Sequence, residues 1–319
     1  MASRRIQCYN FGMEKVPDLK RINFLNGASK IEPVDKGYSG AAKFSFNRAG
    51  ERYFLKIGHF RLNFDLEEIL AKSGVPHPAI VEMGRYDEKA NYIIEKFVAG
   101  ENLKDLLDGY NLGEMYEFGR QIGEKYGNLR KVYPDQPVPE SLYEEYTKSS
   151  NERIAKLQGL LAAEGQVSAE VRQEMLTVAE FLKNTLPCVK NSLMIYGHTD
   201  VKPSNFLIHN GEILALDIES TRYKEITASI MWAYTRVDFK DEKNLAFAKG
   251  YLNGLFDNKV PAGAWACCNH NYAFNMVGYF VKYLSNGSYE RLNKLLRHIE
   301  KNYLKDGTIE IDKNIRAQK

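Results

Sequence analysis

The chain has 319 residues, of which 44% are hydrophobic and 27% are charged, a composition typical of a soluble globular protein with a substantial apolar core. Its 44 basic and 41 acidic residues leave a formal net charge of +3, so charge gives no indication of nucleic acid binding. No apolar stretch approaches the ~20 residues needed to span a bilayer, and the amino-terminal residues lack the apolar core of a signal peptide. We therefore expect a cytoplasmic protein with no nucleic acid or membrane partner.

The cysteines and histidines show no pattern that indicates a disulfide framework or a metal site. The six histidines lack ligand spacing, and the four cysteines include no CxxC pair. Those cysteines are Cys8, Cys188, Cys267 and Cys268. Reduced thiols are expected for a cytosolic protein.

The first third of the chain is predicted to be rich in strands. Short runs of apolar and β-branched residues, separated by turn residues, indicate five strands. These strands cover residues 29–35, 41–46, 52–57, 79–86 and 91–97. Residues 62–72 carry apolar side chains at helical spacing, and Pro76 and Pro78 prevent that helix from resuming.

The chain changes character after Gly100, where helical periodicity begins to dominate. The predicted helical segments are residues 102–107, 113–130, 141–161, 168–186, 226–256 and 265–303, with a turn at 159–166. A strand–loop–strand stretch, residues 194–217, interrupts them. This order predicts an α+β fold: a small five-stranded antiparallel unit with one helix, residues 1–97, and a larger, mainly helical part, residues 98–319.

The strand–loop–strand stretch contains the strongest chemical signal. Asp200 and Asn205 lie five positions apart, and an apolar strand, a Gly-containing turn, a second strand and Asp217 follow them. Phosphoryl transfer needs a carboxylate that orients the attacking hydroxyl, together with amide and carboxylate oxygens that hold Mg²⁺. A bare DxxxxN spacing also occurs in ordinary turns, so the flanking strands are what favour the chemical interpretation.

The motif GHTDVKPSNFLI followed by LALDIE resembles the catalytic and metal-binding segments of the aminoglycoside phosphotransferase and choline kinase family, relatives of the protein kinases. The resemblance implies a protein-kinase-like two-lobe fold with residues 196–220 as the catalytic segment. It implies that Asp200 is the catalytic base and that Asn205 and Asp217 are the metal ligands. Thr199 stands where the family usually has glycine, and Glu219 stands where it often has an acid.

The resemblance extends to the predicted β unit. Lys56 lies in the third strand, where the family places the lysine that contacts the α- and β-phosphates of ATP. Its expected partner is a helix glutamate; Glu67 and Glu68 are both candidates, and Glu67 is preferred. An isolated lysine on a strand could equally well be a solvated side chain.

Two further nucleotide contacts are implied by position. The loop of residues 36–41 precedes the lysine strand, and there Ser39 and Gly40 are expected to approach the phosphates. Residues 93–100 resemble the hinge between lobes, where the Glu95 carbonyl and the Phe97 amide are expected to bind adenine.

The resulting hypothesis is an ATP- and Mg²⁺-dependent phosphotransferase with a hydroxylated small-molecule acceptor. An aminoglycoside or similar antibiotic, which is cationic, comes first by family resemblance; choline, ethanolamine or a sugar are the alternatives. The acceptor-binding residues are expected among the carboxy-terminal helices. The rival of a different class is a nucleotide-binding pseudokinase, which the presence of Lys56, Asp200, Asn205 and Asp217 disfavours.

Overall fold

The computed structural model of the chain describes residues 17–34, 41–163, 165, 167–198, 200–225, 242–302, 304, 305, 308 and 309. They form two compact units. The first contains the chain up to Leu103 together with Phe206–Ser220, and the second contains Lys104–Asn205 together with the chain from Thr221 onward.

The first unit is built on a five-stranded antiparallel sheet, which confirms the sequence prediction. Its strands are β1 (Ser29–Pro33), β2 (Ala42–Arg48), β3 (Glu51–Gly58), β4 (Ile80–Arg85) and β5 (Asn91–Lys96), in the spatial order β1-β2-β3-β5-β4. Together with the helices described below, this sheet confirms the predicted α+β class.

The two faces of this sheet differ in chemistry because side chains alternate along each strand. Leu55 and Ile57 of β3 are fully buried with Phe44 of β2 and Ile94 of β5, and these residues belong to one apolar cluster. The alternate residues point to the other face, which carries Lys56. The core face therefore fixes the register that presents Lys56 on the opposite side.

Helix α1 (Leu66–Ser73) follows β3 and begins later than predicted. It buries Leu66, Ile69 and Leu70 on one side. Gly74 ends it in the left-handed conformation, with φ +65°, where glycine has no Cβ to clash.

The two short strands β9 (Phe206–His209) and β10 (Glu212–Ala215) also belong to the first unit. They form a hairpin whose turn residues Asn210 and Gly211 both have positive φ, as a tight hairpin requires. β9 pairs with β6 (Glu101–Asn102). This pairing is the reason that the units differ from the predicted division into 1–97 and 98–319.

The second unit is mainly helical. Its helices are α2 (Leu112–Val132), α3 (Glu140–Ala163), α4 (Ala169–Thr185), α5 (Pro187–Lys190), α6 (Glu242–Leu255), α7 (Ala262–Ser285) and α8 (Tyr289–Asn302). A three-stranded sheet consists of β11 (Thr221–Glu225), β8 (Leu193–His198) and β7 (Gln136–Pro137), in that order. A hairpin of β12 (Leu304–Lys305) and β13 (Thr308–Ile309) follows α8.

Three helix predictions need correction or qualification. The segment 102–107 does not form a helix: Asn102 belongs to β6, and a 3₁₀ turn follows at Leu107–Gly109. The predicted turn does not begin at Gly159, because α3 continues to Ala163. The part of the 226–256 prediction that covers residues 226–241 lies outside the described residues.

Glycines on the facing sides of α2 and α6 allow the backbones of the two helices to lie in contact. A Cβ added at Gly123 of α2 would clash with the Tyr251 carbonyl oxygen and would lie 2.9 Å from the Leu255 nitrogen. Gly254 of α6 would clash in the same way with the Arg120 carbonyl oxygen. The absent side chains are therefore what allows this packing.

Gly123→Ala should lower the free energy of unfolding by about 3 kcal/mol, at the upper end of overpacking effects, because the obstacle is backbone and cannot rotate away. Gly159→Ala is the matched control: nothing lies within 4 Å of its added Cβ on α3. The control should gain up to ~1 kcal/mol from helix propensity. Urea unfolding of both variants measures this, and equal stabilities would refute the close contact.

None of the helices within the described ranges is both long enough and apolar enough to cross a membrane.

Candidate active site

Lys56 forms the centre of a charged cluster within the first unit. Its Nζ lies 2.8 Å from Asp217 Oδ1 and also contacts Glu219 Oε1. Burial by itself would lower the pKa of Lys56, but the carboxylates of Glu219 and Asp217 raise it well above its ordinary value. Lys56 is therefore a buried, permanently charged group held by two acids.

Asp217 occupies an unusual backbone conformation at the end of β10. Its φ is +52°, a region that few residues other than glycine adopt and in which aspartate is enriched. The Asp217 carbonyl accepts from the Ser220 amide at 3.0 Å, which closes a 3₁₀ turn over Ile218–Ser220. The Asp217 side chain is 33% exposed, against 10% for Glu219, so Asp217 is the more accessible of the two acids.

Glu95 places a third carboxyl group close to this cluster. Register pairs Glu95 with Phe54 and Ile93 with Lys56, so Glu95 and Lys56 share one face of the sheet. Burial raises the pKa of Glu95 to about 8, and the negative charge of Glu219 adds to this effect while Lys56 opposes it. The resemblance implied a role for the Glu95 backbone only, and no sequence pattern pointed to its side chain.

The predicted pair between Lys56 and Glu67 is not formed, and this prediction is corrected. Glu67 Oε2 instead accepts from the Ile80 amide at 2.9 Å and lies 3.1 Å from His77 Nε2. The alternative, Glu68, contacts Lys72 one turn along the same helix. The acids that Lys56 contacts instead are Asp217 and Glu219.

A second lysine lies on the Lys56 face of the sheet. Lys43 of β2 is directly opposite Lys56 and is only 9% exposed. It directly follows the apolar residue Ala42, whose side chain is buried on the core face. Lys43 was not among the predicted site residues, although the alternation of side chains along β2 places it on the same face as Lys56.

The second unit holds the other chemical residues in one loop after β8. Asn205 Nδ2 donates to the Asp200 carbonyl at 2.8 Å and to Asp200 Oδ2 at 2.9 Å. The Asp200 amide donates to His198 Nδ1 at 3.1 Å, which ties the loop to the strand end. Lys202 Nζ contacts Asp200 Oδ2 as well, and the sequence analysis assigned this lysine no role.

The other carboxylate oxygen of Asp200 has no hydrogen-bond partner within the described part of the chain. Oδ1 is buried and accepts no hydrogen bond from any residue that the structure describes, while Oδ2 accepts from both Lys202 and Asn205. A buried polar atom without a partner is costly, and a bound ligand is one way to satisfy it. This geometry leaves one fixed carboxylate oxygen able to accept a hydrogen bond from a ligand.

The other nucleotide contacts were predicted for the loop before β2 and for the end of β5. Ser39 and Gly40 lie outside the described residues. The Phe97 amide donates to the Arg52 carbonyl at 3.0 Å, so the pairing of β5 with β3 extends to Phe97 and uses this donor. The Glu95 backbone lies in an interior strand, between Phe54 of β3 and Ile80 of β4. The prediction that Phe97 N–H binds adenine is therefore wrong for this geometry.

The sequence model of the phosphotransferase enzyme family, APH, matches residues 30–267. That match covers most of the chain, including Lys56, Asp200, Asn205 and Asp217. The chain belongs to the phosphotransferase enzyme family. As a member of this family it is a kinase-type enzyme that acts on a small molecule. Comparison with curated proteins gave no match.

Solved structures of similar fold include several antibiotic phosphotransferases. Aminoglycoside phosphotransferase APH(4)-Ia has a TM-score of 0.58 at 13% identity, with 93% of this chain and 97% of that chain covered. Spectinomycin phosphotransferase APH(9)-Ia, solved with AMP, has a TM-score of 0.56 at 13% identity, with 96% and 100% covered. APH(2'')-Ib, solved with ADP, has a TM-score of 0.53 at 11% identity, with 88% and 97% covered. Identities this low establish the fold alone, which is the predicted kinase-like fold.

The donor set of this phosphotransferase suits Mg²⁺. The described residues contain no cluster of three or more His, Cys, Asp or Glu side chains able to hold a metal. Mg²⁺ commonly takes only one or two protein carboxylates, with phosphates and water completing its shell. Asp217 of the first unit supplies a partly exposed carboxylate. Asn205 of the second unit donates through its NH₂ group to Asp200, and its oxygen has no partner among the described residues. Each side chain therefore offers an oxygen of the type that Mg²⁺ prefers.

Proposed function

We propose that this phosphotransferase transfers the γ-phosphate of ATP to a hydroxyl group of a small molecule, with Asp200 as the base. The observation that carries the proposal is that Asp200 Oδ1 has no hydrogen-bond partner among the described residues. Lys202 and Asn205 fix the carboxylate through Oδ2, so that Oδ1 is left to accept the proton of the attacking hydroxyl. Positioning of this kind supplies much of the catalysis in phosphoryl transfer.

Lys56 is assigned to the phosphates of the nucleotide. Its charge is secured by Asp217 and Glu219, and an ammonium group is a compact partner for phosphate oxygens. For adenine we assign recognition to the backbone beyond the sheet. Val98 is the first residue beyond the pairing of β5 with β3. The carbonyl oxygen of the residue that follows it, Ala99, lies 2.5 Å from His209 Nδ1.

Asp217 and Asn205 are assigned as the protein ligands of Mg²⁺, as the resemblance implies. When bound, the cation would neutralise charge on the phosphate chain. The chain's own contribution is to hold the two oxygen ligands. The 3₁₀ turn holds the Asp217 carboxylate, and the hydrogen bonds that the Asn205 NH₂ group donates to Asp200 hold the Asn205 oxygen.

The acceptor proposed first is an aminoglycoside or related antibiotic, because APH(4)-Ia was solved with hygromycin B and APH(9)-Ia with spectinomycin. ADP release should be measured with Mg·ATP and a panel containing hygromycin B, spectinomycin, kanamycin, choline, ethanolamine and simple sugars. Acceptor-stimulated ADP release supports transfer, and the stimulating compound identifies the class. Nucleotide binding without turnover on any acceptor would favour the pseudokinase.

Asp217→Asn should abolish the strengthening of ADP binding by Mg²⁺, because it weakens a metal ligand without changing side-chain size. The ratio of ADP dissociation constants in EDTA and in Mg²⁺ measures this, and it should fall by at least ~10-fold in the variant. Asp200→Asn is the matched control and should keep the wild-type ratio. Equal losses in both variants would contradict the separate roles.

A further inference from the structure

An open groove of about 470 Å³ lies between α3 and α7, within the second unit. Its charged lining consists of Arg153 and Lys156 from α3, Lys282 from α7, and one acid, Glu152. Asn275 and Tyr279 of α7 add polar groups. None of these residues belongs to the Lys56 cluster or to the Asp200 loop, so the groove is a separate feature of the molecule.

Arg153 is held in one orientation at this groove. Its Nη1 donates to the Phe274 carbonyl at 2.9 Å, and its guanidinium carbon lies 3.7 Å from the centroid of the Phe274 ring. A Cβ at Gly278 would lie 2.6 Å from Nη1, so any larger residue there would displace the guanidinium. The Arg153 guanidinium is thus held in a fixed plane on the helix surface. Its other N–H groups have no partner among the described residues and can bind a ligand.

The three cations of the groove have no acidic partner among the residues that the structure describes. Within the described part of the chain, no carboxylate lies within 4.0 Å of the basic nitrogens of Arg153, Lys156 or Lys282, although other surface lysines such as Lys72 and Lys190 have one. Burial lowers the pKa of Arg153, which reflects its loss of water. A partly desolvated guanidinium without a counter-charge is unfavourable until an anion binds it.

We propose that the α3–α7 groove is a binding site for a small anionic molecule that carries carboxylate or phosphate groups. A guanidinium in a fixed plane pairs with either group through two parallel hydrogen bonds, and the flanking lysines supply further positive charge. The same charges would repel a polycation. The groove therefore does not suit the amino groups of an aminoglycoside, whichever acceptor is used at Asp200.

Calorimetric titration in low-salt, metal-free buffer tests this inference, with citrate and pyrophosphate as separate probes. Arg153→Met should weaken binding of the better probe by at least ~10-fold, and Lys156→Met and Lys282→Met by roughly 3-fold each. Lys131→Met, on an exposed lysine of α2, should stay within 2-fold of wild type for citrate. Tighter binding of one probe identifies the carboxylate or the phosphate class.

Several outcomes would overturn the inference. Failure of wild type to bind either probe would do so, as would citrate binding that Arg153→Met leaves unchanged or that Lys131→Met removes. If Arg153→Met does not fold, the two exposed lysine variants decide the matter, and wild-type affinity in both rejects the site. Because this titration involves no nucleotide and no turnover, its failure is distinguishable from failure of the proposed phosphotransfer.

Discussion

Asp200→Asn should lower kcat by roughly 10²- to 10⁴-fold, the range that a positioned general base contributes, with little change in affinity for ADP. Asparagine keeps the side-chain size and can still accept the hydrogen bond from Asn205, but it cannot take a proton from a hydroxyl. The measurement is acceptor-dependent ADP release, with ADP binding measured on the same preparation.

Two details make this test discriminating. Asp105→Asn changes an exposed acid of the same unit in the same way, and its kcat should stay near that of the wild type. Loss of nucleotide affinity in Asp200→Asn, equal to its loss of turnover, would indicate a structural role instead. A kcat within a few-fold of the wild-type value would end the assignment of Asp200 as the base.

Glu95→Gln should change how stability depends on pH. The ordinary pKa of a glutamate is 4.5, and burial in the first unit raises that of Glu95 to about 8. Between these values the folded protein retains a proton that the unfolded chain releases. Glu95 therefore reduces stability progressively as pH rises from about 4.5 to about 8, and the loss is complete above the folded pKa.

Glutamine mimics the protonated side chain and removes this dependence. The difference between 4.5 and about 8 corresponds to at most ~5 kcal/mol, at 1.36 kcal/mol for each pKa unit. The stability advantage of Glu95→Gln over wild type should therefore grow from near zero at pH 4.5 to a few kcal/mol at pH 8.5. Urea unfolding across this range measures it.

Glu51→Gln is the matched control, because Glu51 is an exposed acid of the same sheet. Its hydrogen bonds from Tyr53 and Lys96 lower its pKa, so the stability that it contributes is present above its ordinary pKa and is lost at acid pH. Its variant should therefore show no growing advantage between pH 4.5 and pH 8.5. A flat difference between Glu95→Gln and wild type would show that Glu95 titrates normally.

Much of the fold follows from local sequence pattern. The strands of the first sheet alternate apolar and polar residues, and the turn at Asn210 and Gly211 has the residues that positive φ requires. Helix ends are harder to predict from sequence, because Gly159 lies inside α3 while other glycines end helices. The short segment at 102–107 has helical spacing, yet pairing of β6 with β9 overrides it.

The contacts of the candidate site likewise divide into those between residues close in sequence and those between distant residues. Asp200 and Asn205 are five residues apart, so one loop brings them together and spacing alone could indicate their contact. Lys56 was identified from its strand, but its partners lie 161 and 163 residues away along the chain. Glu67 lies on the helix that follows the Lys56 strand, which is why it is the predicted partner of Lys56. Its carboxylate instead contacts the His77 ring and the Ile80 amide, which follow it within 13 residues.

The amino-acid sequence by itself determined the strands, the loop that joins Asp200 to Asn205 and the membership in a phosphotransferase family, because these depend on residues close together in the chain. Only the tertiary structure decided which acids pair with Lys56, what raises the pKa of Glu95, and that no acid among the described residues pairs with Arg153. Burial and electrostatic partnership depend on distances in space, and these are set by packing between segments that are far apart in sequence.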